Sequence, residues 1–475
     1  MDLRNRILPG TTESVCPECL KRIPAEKIID GGRVYLVKSC PEHGEYRVLI
    51  WEGGPAYESW ATTKIPSSPA VCRTEVQRGC PYDCGLCPDH RQETCCVLLE
   101  ITQRCNLCCP VCFASANNNF SADPDLAEIE SWYRLLLEGG GPYNIQLSGG
   151  EPALRDDLPA IIRMGRELGF DFIQLNTNGV RLALEPGFVK ELKEAGLSCV
   201  FLQFDGTTDE IYRQIRGAAV LDLKKLAIAG CAREGIGVVL VPTLVPGVNM
   251  DNLGEIIRFA ITQMPTVRGV HFQPVSYFGR YPKAPPVRRI TIPEVLRALE
   301  SQTAGQLKSD NFLPASAENA YCSFHGNFIL MPGGELKPWS SFETIRTSQA
   351  GQSCCKPLMA AEELKKGREF VARQWAAPQN ANRPALGGCS SQGVEDGRQS
   401  GINTSSLDQF LERISEYTLA ISGMAFQDAW TLDLERLREC KIHVVSPDKR
   451  IIPFCAYNLT TRNGKSLYRG LGVRV

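Results

Sequence analysis

The sequence predicts an α/β protein: a partial (βα)6 TIM-like barrel, preceded by a Cys-rich metal-binding head and followed by a Cys-containing auxiliary region. Three observations predict it. Six apolar strand-like segments alternate with helical ones from Val97 to Val275, nearly half of the 21 cysteines lie between Cys72 and Cys112, and the tail after Tyr281 loses the alternation. The expected organisation is a zinc-ribbon or rubredoxin-like domain over 1–70, an auxiliary metal segment over 71–96, the barrel over 97–280, and an auxiliary domain over 281–475.

Composition narrows the function classes. A chain of 475 residues with 43% hydrophobic content is long enough for roughly two to four domains with large cores. Its 52 basic and 53 acidic residues are interspersed, so no nucleic-acid footprint is predicted. The opening MDLRNRILPGTTESVCPEC lacks an apolar core of signal-peptide length. The most apolar stretch, Gly235 to Val248, is broken by Pro242 and Pro246, so no transmembrane segment is expected. The expected location is cytoplasmic, free or at the membrane periphery, and in a reducing compartment the crowded cysteines point to metal rather than to disulfides.

The head carries Cys16-x2-Cys19 and, about twenty residues on, Cys40-x2-His43. Two such knuckles suit one mononuclear zinc or iron, and three cysteines with one histidine favour zinc in a structural role. A surface role for His43 in the EHGE turn is the alternative. The same head ends in GCPYDCGLC, where Cys80, Cys84 and Cys87 are followed by Cys95. Four thiolates suit a closed auxiliary 4Fe-4S cluster or a structural zinc, with Cys72 and Cys96 as alternatives for the fourth position.

The first barrel strand, VLLEI, runs directly into RCNLCCPVCF, which repeats the spacing with Cys105, Cys109 and Cys112. Three thiolates leave one iron of a cubane open to substrate or solvent, and a loop at a strand's carboxyl end is where a barrel places chemistry. Paired zinc knuckles are the alternative. Their halves are normally roughly 15–20 residues apart rather than abutting, which leaves Cys108 as a spare thiol.

The following units are a helix over 125–138, the strand YNIQL, the turn Ser148-Gly149-Gly150-Glu151-Pro152, a helix over 158–168, and the strand FDFIQLN closing on Asn176-Thr177-Asn178-Gly179. Then come a helix over 188–194, LSCVFLQF closing on Gln203 and Asp205, helical segments over 208–233, GVVLVPTL before Asn249, a helix over 252–264, and VRGVHFQPV with Gln273. Near-continuous apolar strands joined by helices imply a parallel sheet. Glycines at 149 and 150 would let backbone approach a ligand, and the strand-end Asn, Gln and Asp side chains are candidates for holding a polar one. For Asn178 and Asp205 a turn or cap role is the alternative.

The cysteine triplet with Phe113 closing it, followed one βα unit later by the GGEP turn, resembles the radical S-adenosylmethionine (SAM) superfamily. The resemblance implies that Cys105, Cys109 and Cys112 hold an open 4Fe-4S cluster, that Ser148 to Glu151 bind the methionine amine, and that Asn176, Asn178, Gln203 and Asp205 contact SAM. It also implies a 5′-deoxyadenosyl radical that removes a substrate hydrogen.

In the tail, YCSFHGNFILMPGGELKPW resembles the opening of the SPASM extension, with Trp339 where a second cysteine is expected after Cys322. Cys440 and Cys455 flank a hairpin around Pro447-Asp448 and are placed to share a metal, with Cys389 or one of Cys354 and Cys355 as candidate completing ligands; buried free thiols are the alternative. Ala376 to Gly401 reads as a linker.

Three segments together, CPEC…CPEHG, the run from GCPYDC to PVCFASA, and MAFQDAWTLDLERLRECKIHVVSPDKRIIPFCAYN, resemble the archaeal tetraether lipid synthase group and its bacterial relatives. That resemblance implies one mononuclear site, three 4Fe-4S clusters and carbon–carbon coupling of lipid alkyl chains. A peptide-modifying maturase and a multi-cluster electron carrier are the competing readings. Expected partners are a small-molecule or lipid substrate and a low-potential electron donor such as ferredoxin or flavodoxin.

Overall fold

Short turns fold the head into a meander: β1 (Asn5–Val15), β2 (Arg22–Asp30), β3 (Arg33–Cys40) and β4 (Gly44–Glu52) pair antiparallel in sequence order. This is a computed structural model, describing residues 5–61, 67–116, 122–281, 288–315, 318–339, 368–369, 372–377 and 413–469. The β1–β2 and β3–β4 turns carry the two knuckles and meet at one end of the sheet. Lys38 on β3 is 2% exposed, and its Nζ donates to Ser14 Oγ at 3.0 Å, the Val15 carbonyl at 2.9 Å and the Ala429 carbonyl at 2.7 Å. The last bond ties the head to the tail of the chain. Burial drives this amine down to about 7. A one-turn helix, α1 (Tyr57–Trp60), buries Trp60 beside Trp51.

The barrel follows as β5 (Cys96–Thr102), α2 (Leu126–Glu138), β6 (Asn144–Gly149), α3 (Leu158–Glu167), β7 (Ile173–Thr177), α4 (Val180–Leu184), α5 (Pro186–Glu194), β8 (Cys199–Gln203), α6 (Asp209–Arg216), α7 (Leu221–Arg233), β9 (Gly237–Val241), β10 (Thr243–Leu244), α8 (Leu253–Thr262) and β11 (Val267–Pro274). Strands β5, β6, β7, β8, β9 and β11 are neighbours in that order, every pair parallel. One face of each strand packs on the helices: Leu99, Ile101, Ile145, Leu147, Ile173, Leu175, Val200, Leu202, Val238 and Leu240 are all at most 1% exposed. The opposite face differs from the near-continuous apolar strands expected. By the strand's two-residue period it turns Gln146, Gln174, Asn176 and Gln203 inward.

The tail adds α9 (Ile292–Gln302), β12 (Leu313–Pro314), β13 (Ser323–Leu330), β14 (Leu336–Pro338), β15 (Thr418–Met424), β16 (Ile442–Val445) and β17 (Ile451–Pro453). It extends the barrel sheet at both edges: β15 lies parallel beside β11, and β16 parallel beside β5. Strand β13 then runs antiparallel to β15, and β17 antiparallel to β16. Residues 378–401 of the expected linker, and Cys354, Cys355 and Cys389, lie outside the described residues. No helix among the described residues is long and apolar enough to cross a membrane.

Candidate active site

The loop leaving β5 presents Cys105, Cys109 and Cys112 to a cavity of about 1110 Å³ at the carboxyl ends of the barrel strands. Backbone pairing with the segment after β11 pins this loop. Cys112 N donates to the Arg280 carbonyl at 2.8 Å, Arg280 N returns to Cys112 O at 2.9 Å, and Arg280 Nε reaches Cys109 O at 2.9 Å. Burial pushes the Cys105 thiol up to about 12 and raises Cys109 as well, so in the metal-free loop these sulfurs keep their protons, which iron would displace. Cys108 is exposed and off the cavity wall, as a spare thiol should be. Phe113 lines the cavity, packed on Phe454 and under the Arg469 guanidinium. Three thiols on one wall of a large cavity fit a cluster with one iron open.

The GGEP turn faces the cavity and also docks on the cysteine loop through its two glycines. A Cβ on Gly149, whose φ is +122°, would sit 2.1 Å from the Thr102 carbonyl oxygen, and one on Gly150 would sit 2.1 Å from that of Arg104. The Gly150 and Glu151 amides donate to those two carbonyls, both at 2.8 Å. These glycines therefore let the turn dock on the cysteine loop, and the two amides are spent there rather than offered to a ligand.

Glu151 carries the frame onward. At 2% exposure its carboxylate accepts from the Ala153 amide, from Thr177 Oγ1 at 2.6 Å and from the Asn178 amide at 2.6 Å. Burial raises its pKa against those bonds. Asn178 in turn donates to Asn106 Oδ1 at 2.7 Å, back in the cysteine loop, and its carbonyl accepts from the buried Lys224. The ends of β6 and β7 are thus clamped to the loop that leaves β5. Ser148, Gly149, Gly150, Glu151, Asn176, Asn178, Gln203 and Gln273 all reach the cavity wall.

Asp205 does not reach it. Fully buried, it forms a two-pronged ion pair with Arg216, both bonds 2.7 Å, and accepts from the Thr243 amide at 3.0 Å. Buried off the cavity wall and already accepting three bonds, this carboxylate is not placed to hold a ribose. Its work is to aim Arg216, which does line the cavity and also donates toward the Cys109 thiol, partly offsetting the burial that raises that sulfur. Asn249 likewise closes a turn, donating to the Asp205 and Thr243 carbonyls. Sequence reasoning missed Arg216, which sits in an unremarkable amphipathic helix.

It also missed the polar interior. Gln174 Nε2 donates to Asn176 Oδ1 at 2.7 Å, and Asn176 Nδ2 to Gln146 Oε1 at 3.1 Å, linking three amides across β6 and β7. On the far wall His271 lies 2.8 Å from Ser422 Oγ on β15. Phe201 tilts against both His271 and Trp375. Strand alternation through YNIQL and FDFIQLN was the signal available for Gln146 and Gln174.

A sequence model of the "Radical SAM superfamily" matches residues 99–260, and one of the "HMPTM N-terminal zinc ribbon domain" matches residues 8–52. The 7,8-dihydro-6-hydroxymethylpterin dimethyltransferase of Methanocaldococcus jannaschii is 34% identical over 487 residues, covering 95% of this chain and 94% of that one. This chain belongs to the radical SAM superfamily. The GTP 3',8-cyclase of Limosilactobacillus fermentum is 30% identical over 184 residues, 38% of this chain and 54% of that one. Among solved structures, SuiB of Streptococcus suis bound to its precursor peptide SuiA aligns with a TM-score of 0.38 at 16% identity, covering 46% of each chain. Radical SAM membership makes this chain an enzyme and implies SAM with a 4Fe-4S cluster, for which Cys105, Cys109 and Cys112 are the fitting ligands.

The remaining cysteines of this radical SAM enzyme sort by environment. Ligand atoms of Cys16, Cys19, Cys40 and His43 all lie within 4.8 Å of one another, the spacing of a single tetrahedral ion. Burial raises Cys40, but hydrogen bonds from the His43 ring and the Glu42 and His43 backbone outweigh it and leave the thiol at about 6. The Cys80, Cys84 and Cys87 thiols line a separate cleft of about 10 Å³. Cys95 is not among them. It lies on the wall of the large cavity near Glu318 and Lys441, because its amide pairs with the Lys441 carbonyl at 2.9 Å and draws it to the start of β5. Cys72 is exposed, and Cys96 shares the large cavity. In the tail, burial first, then the neighbouring Cys455 and Cys322, raise the Cys440 thiol, so these three sulfurs share one region. Arg436 Nη2 donates to Cys322 Sγ at 3.4 Å there.

Proposed function

We propose that this radical SAM enzyme transfers methyl groups to a bicyclic nitrogen heterocycle of the pterin type. The observation that carries the reading is the amide-lined interior: Gln146, Gln174, Asn176, Gln203 and Gln273 project from the barrel strands into one cavity. Amides offer paired donors and acceptors, which match the alternating ring nitrogens, amino and carbonyl groups of such a heterocycle. Phe201 and Trp375 supply flat apolar surface for its faces. An alkyl chain lying there would strip water from these amides without replacing their hydrogen bonds, at about 1–3 kcal/mol each. The lipid reading is therefore weaker than the heterocycle reading. The near full-length similarity to a pterin dimethyltransferase supports the same substrate class.

The chemistry supplied when SAM and the reduced cluster are bound is one-electron cleavage yielding a 5′-deoxyadenosyl radical. The protein's own part is positional. Thr102, Arg104 and the GGEP turn fix the cysteine loop, Glu151 and Asn178 hold the neighbouring strand ends to it, and the surrounding aromatic side chains limit water. A low-potential donor such as ferredoxin or flavodoxin supplies the electron. The test is to incubate reduced, reconstituted protein with SAM and 6-hydroxymethyl-7,8-dihydropterin. Products heavier by one or two methyl groups are expected. Because the SAM cleaved to the radical keeps its methyl on methionine, each methyl transferred should be matched by one 5′-deoxyadenosine carrying the abstracted hydrogen, one S-adenosylhomocysteine left by a second, methyl-donating SAM, and two electrons from the reductant. Fully loaded protein that cleaves SAM but leaves the pterin unmodified sinks the substrate assignment.

A further inference from the structure

With Cys95 on the wall of the large cavity, the cleft of Cys80, Cys84 and Cys87 needs another fourth ligand, and the structure offers one. His90 lines the same cleft. The four residues are equally withdrawn from solvent, between 5% and 7% exposed. The His90 amide donates to the Cys87 carbonyl at 3.0 Å, a turn that keeps the residue beside the triplet.

The state of that ring follows from its neighbour. Nε2 lies 2.8 Å from the Cys440 carbonyl oxygen. A carbonyl only accepts, so Nε2 carries the proton and Nδ1 keeps its lone pair. Nδ1 has no hydrogen-bond partner among the described residues. One imidazole nitrogen anchored on a carbonyl, with the other left basic, is the arrangement that metal-ligating histidines use. The His443 ring, edge-on at 5.1 Å and itself fully buried, holds the plane in place. The only set of His, Cys or carboxylate ligand atoms drawn within 4.8 Å of one another among the described residues is the Cys16, Cys19, Cys40 and His43 quartet. The Cys80 group is not gathered as tightly as that quartet.

We propose that His90, through Nδ1, is the fourth ligand of a 4Fe-4S cluster held by Cys80, Cys84 and Cys87. The proposal rests on reading that triplet as a cluster site. A neutral imidazole in place of a thiolate removes one negative charge from the coordination sphere, which raises the reduction potential. This cluster would then accept an electron more readily than one with four thiolates.

The test uses the full chain, reconstituted with iron and sulfide, reduced, and kept free of SAM so that no ligand nitrogen is added. Pulsed EPR of the wild type should show the strong 14N coupling of a directly bound imidazole. It should vanish in His90→Ala and in His90→Cys, while His90→Cys keeps its iron and shifts the cluster's midpoint potential downward. Fully loaded wild type without that coupling overturns the proposal. So does a coupling that survives in His90→Ala, or iron retained in His90→Ala but lost in Cys95→Ala. A Cys84→Ala protein that loses no iron refutes the cluster reading itself, a result distinct from the others.

Discussion

The chain uses one spacing twice, Cys80-x3-Cys84-x2-Cys87 and Cys105-x3-Cys109-x2-Cys112, and the two copies meet opposite surroundings. The first is walled in by Leu437, Arg438 and Pro453 from the tail, around a cleft of about 10 Å³. The second opens on about 1110 Å³ at the mouth of the barrel. Spacing sets how three sulfurs can be presented, but the room beside them sets whether anything else can bind. On the proposed cluster reading the first copy would store or relay an electron, whereas the room beside the second suits chemistry.

The largest effects should come from the cysteines themselves. Cys105→Ser is expected to abolish 5′-deoxyadenosine formation, whereas Cys84→Ser should lose a comparable share of iron yet retain SAM cleavage with dithionite as reductant. Product and iron assays on both variants check this, and SAM cleavage lost equally in both would erase the distinction between the copies. Next in size is the support that only the second copy has. Arg216→Met leaves Asp205 as an uncompensated buried charge, which costs about 3–5 kcal/mol in unfolding experiments. Arg438→Met beside the first copy should cost far less, because its partners Glu435 and Glu13 are more exposed.

A smaller effect is expected at the turn that docks on the second loop. Gly150→Ala forces a methyl group against the Arg104 carbonyl, an overpacking cost of about 1–3 kcal/mol, and should weaken SAM binding measured by calorimetry. Gly85→Ala, in the first copy, meets the end of the Thr74 side chain instead and should leave SAM binding unchanged.

The last contrast concerns pH, and at full protonation it is worth about 3 kcal/mol, of the same order as the changes above. Burial lowers His271 in the large cavity from its ordinary 6.5 to about 4. The unfolded chain then binds the extra proton first as pH falls, so stability contributed by neutral His271 is present above about 6.5 and is lost as pH drops toward 4. Denaturation midpoints of His271→Gln should show a shallower decline over that window. An unchanged slope would place the acid sensitivity elsewhere.

Much of this was legible in the residues. The barrel followed from apolar strand segments alternating with helices. Both triplets, the head's quartet and the GGEP turn stood in the sequence at recognisable spacings, because a metal or a tight turn constrains residues that are close in the chain. What stayed hidden depended on contacts across the fold. Gln146 and Gln174 became cavity residues only once strand pairing defined an inside, and Asp205 lost its ligand role only when Arg216, one helix later, folded onto it.

The sequence by itself pointed to the cofactor class, since Cys105, Cys109 and Cys112 followed one βα unit later by the GGEP turn resemble the radical SAM superfamily. Only the tertiary structure decided which polar groups face the cavity and which are consumed in holding it, and only it moved Cys95 away from the first triplet and set His90 beside it. Local spacing fixes which atoms can share a metal within a loop. Long-range packing fixes what else shares that space.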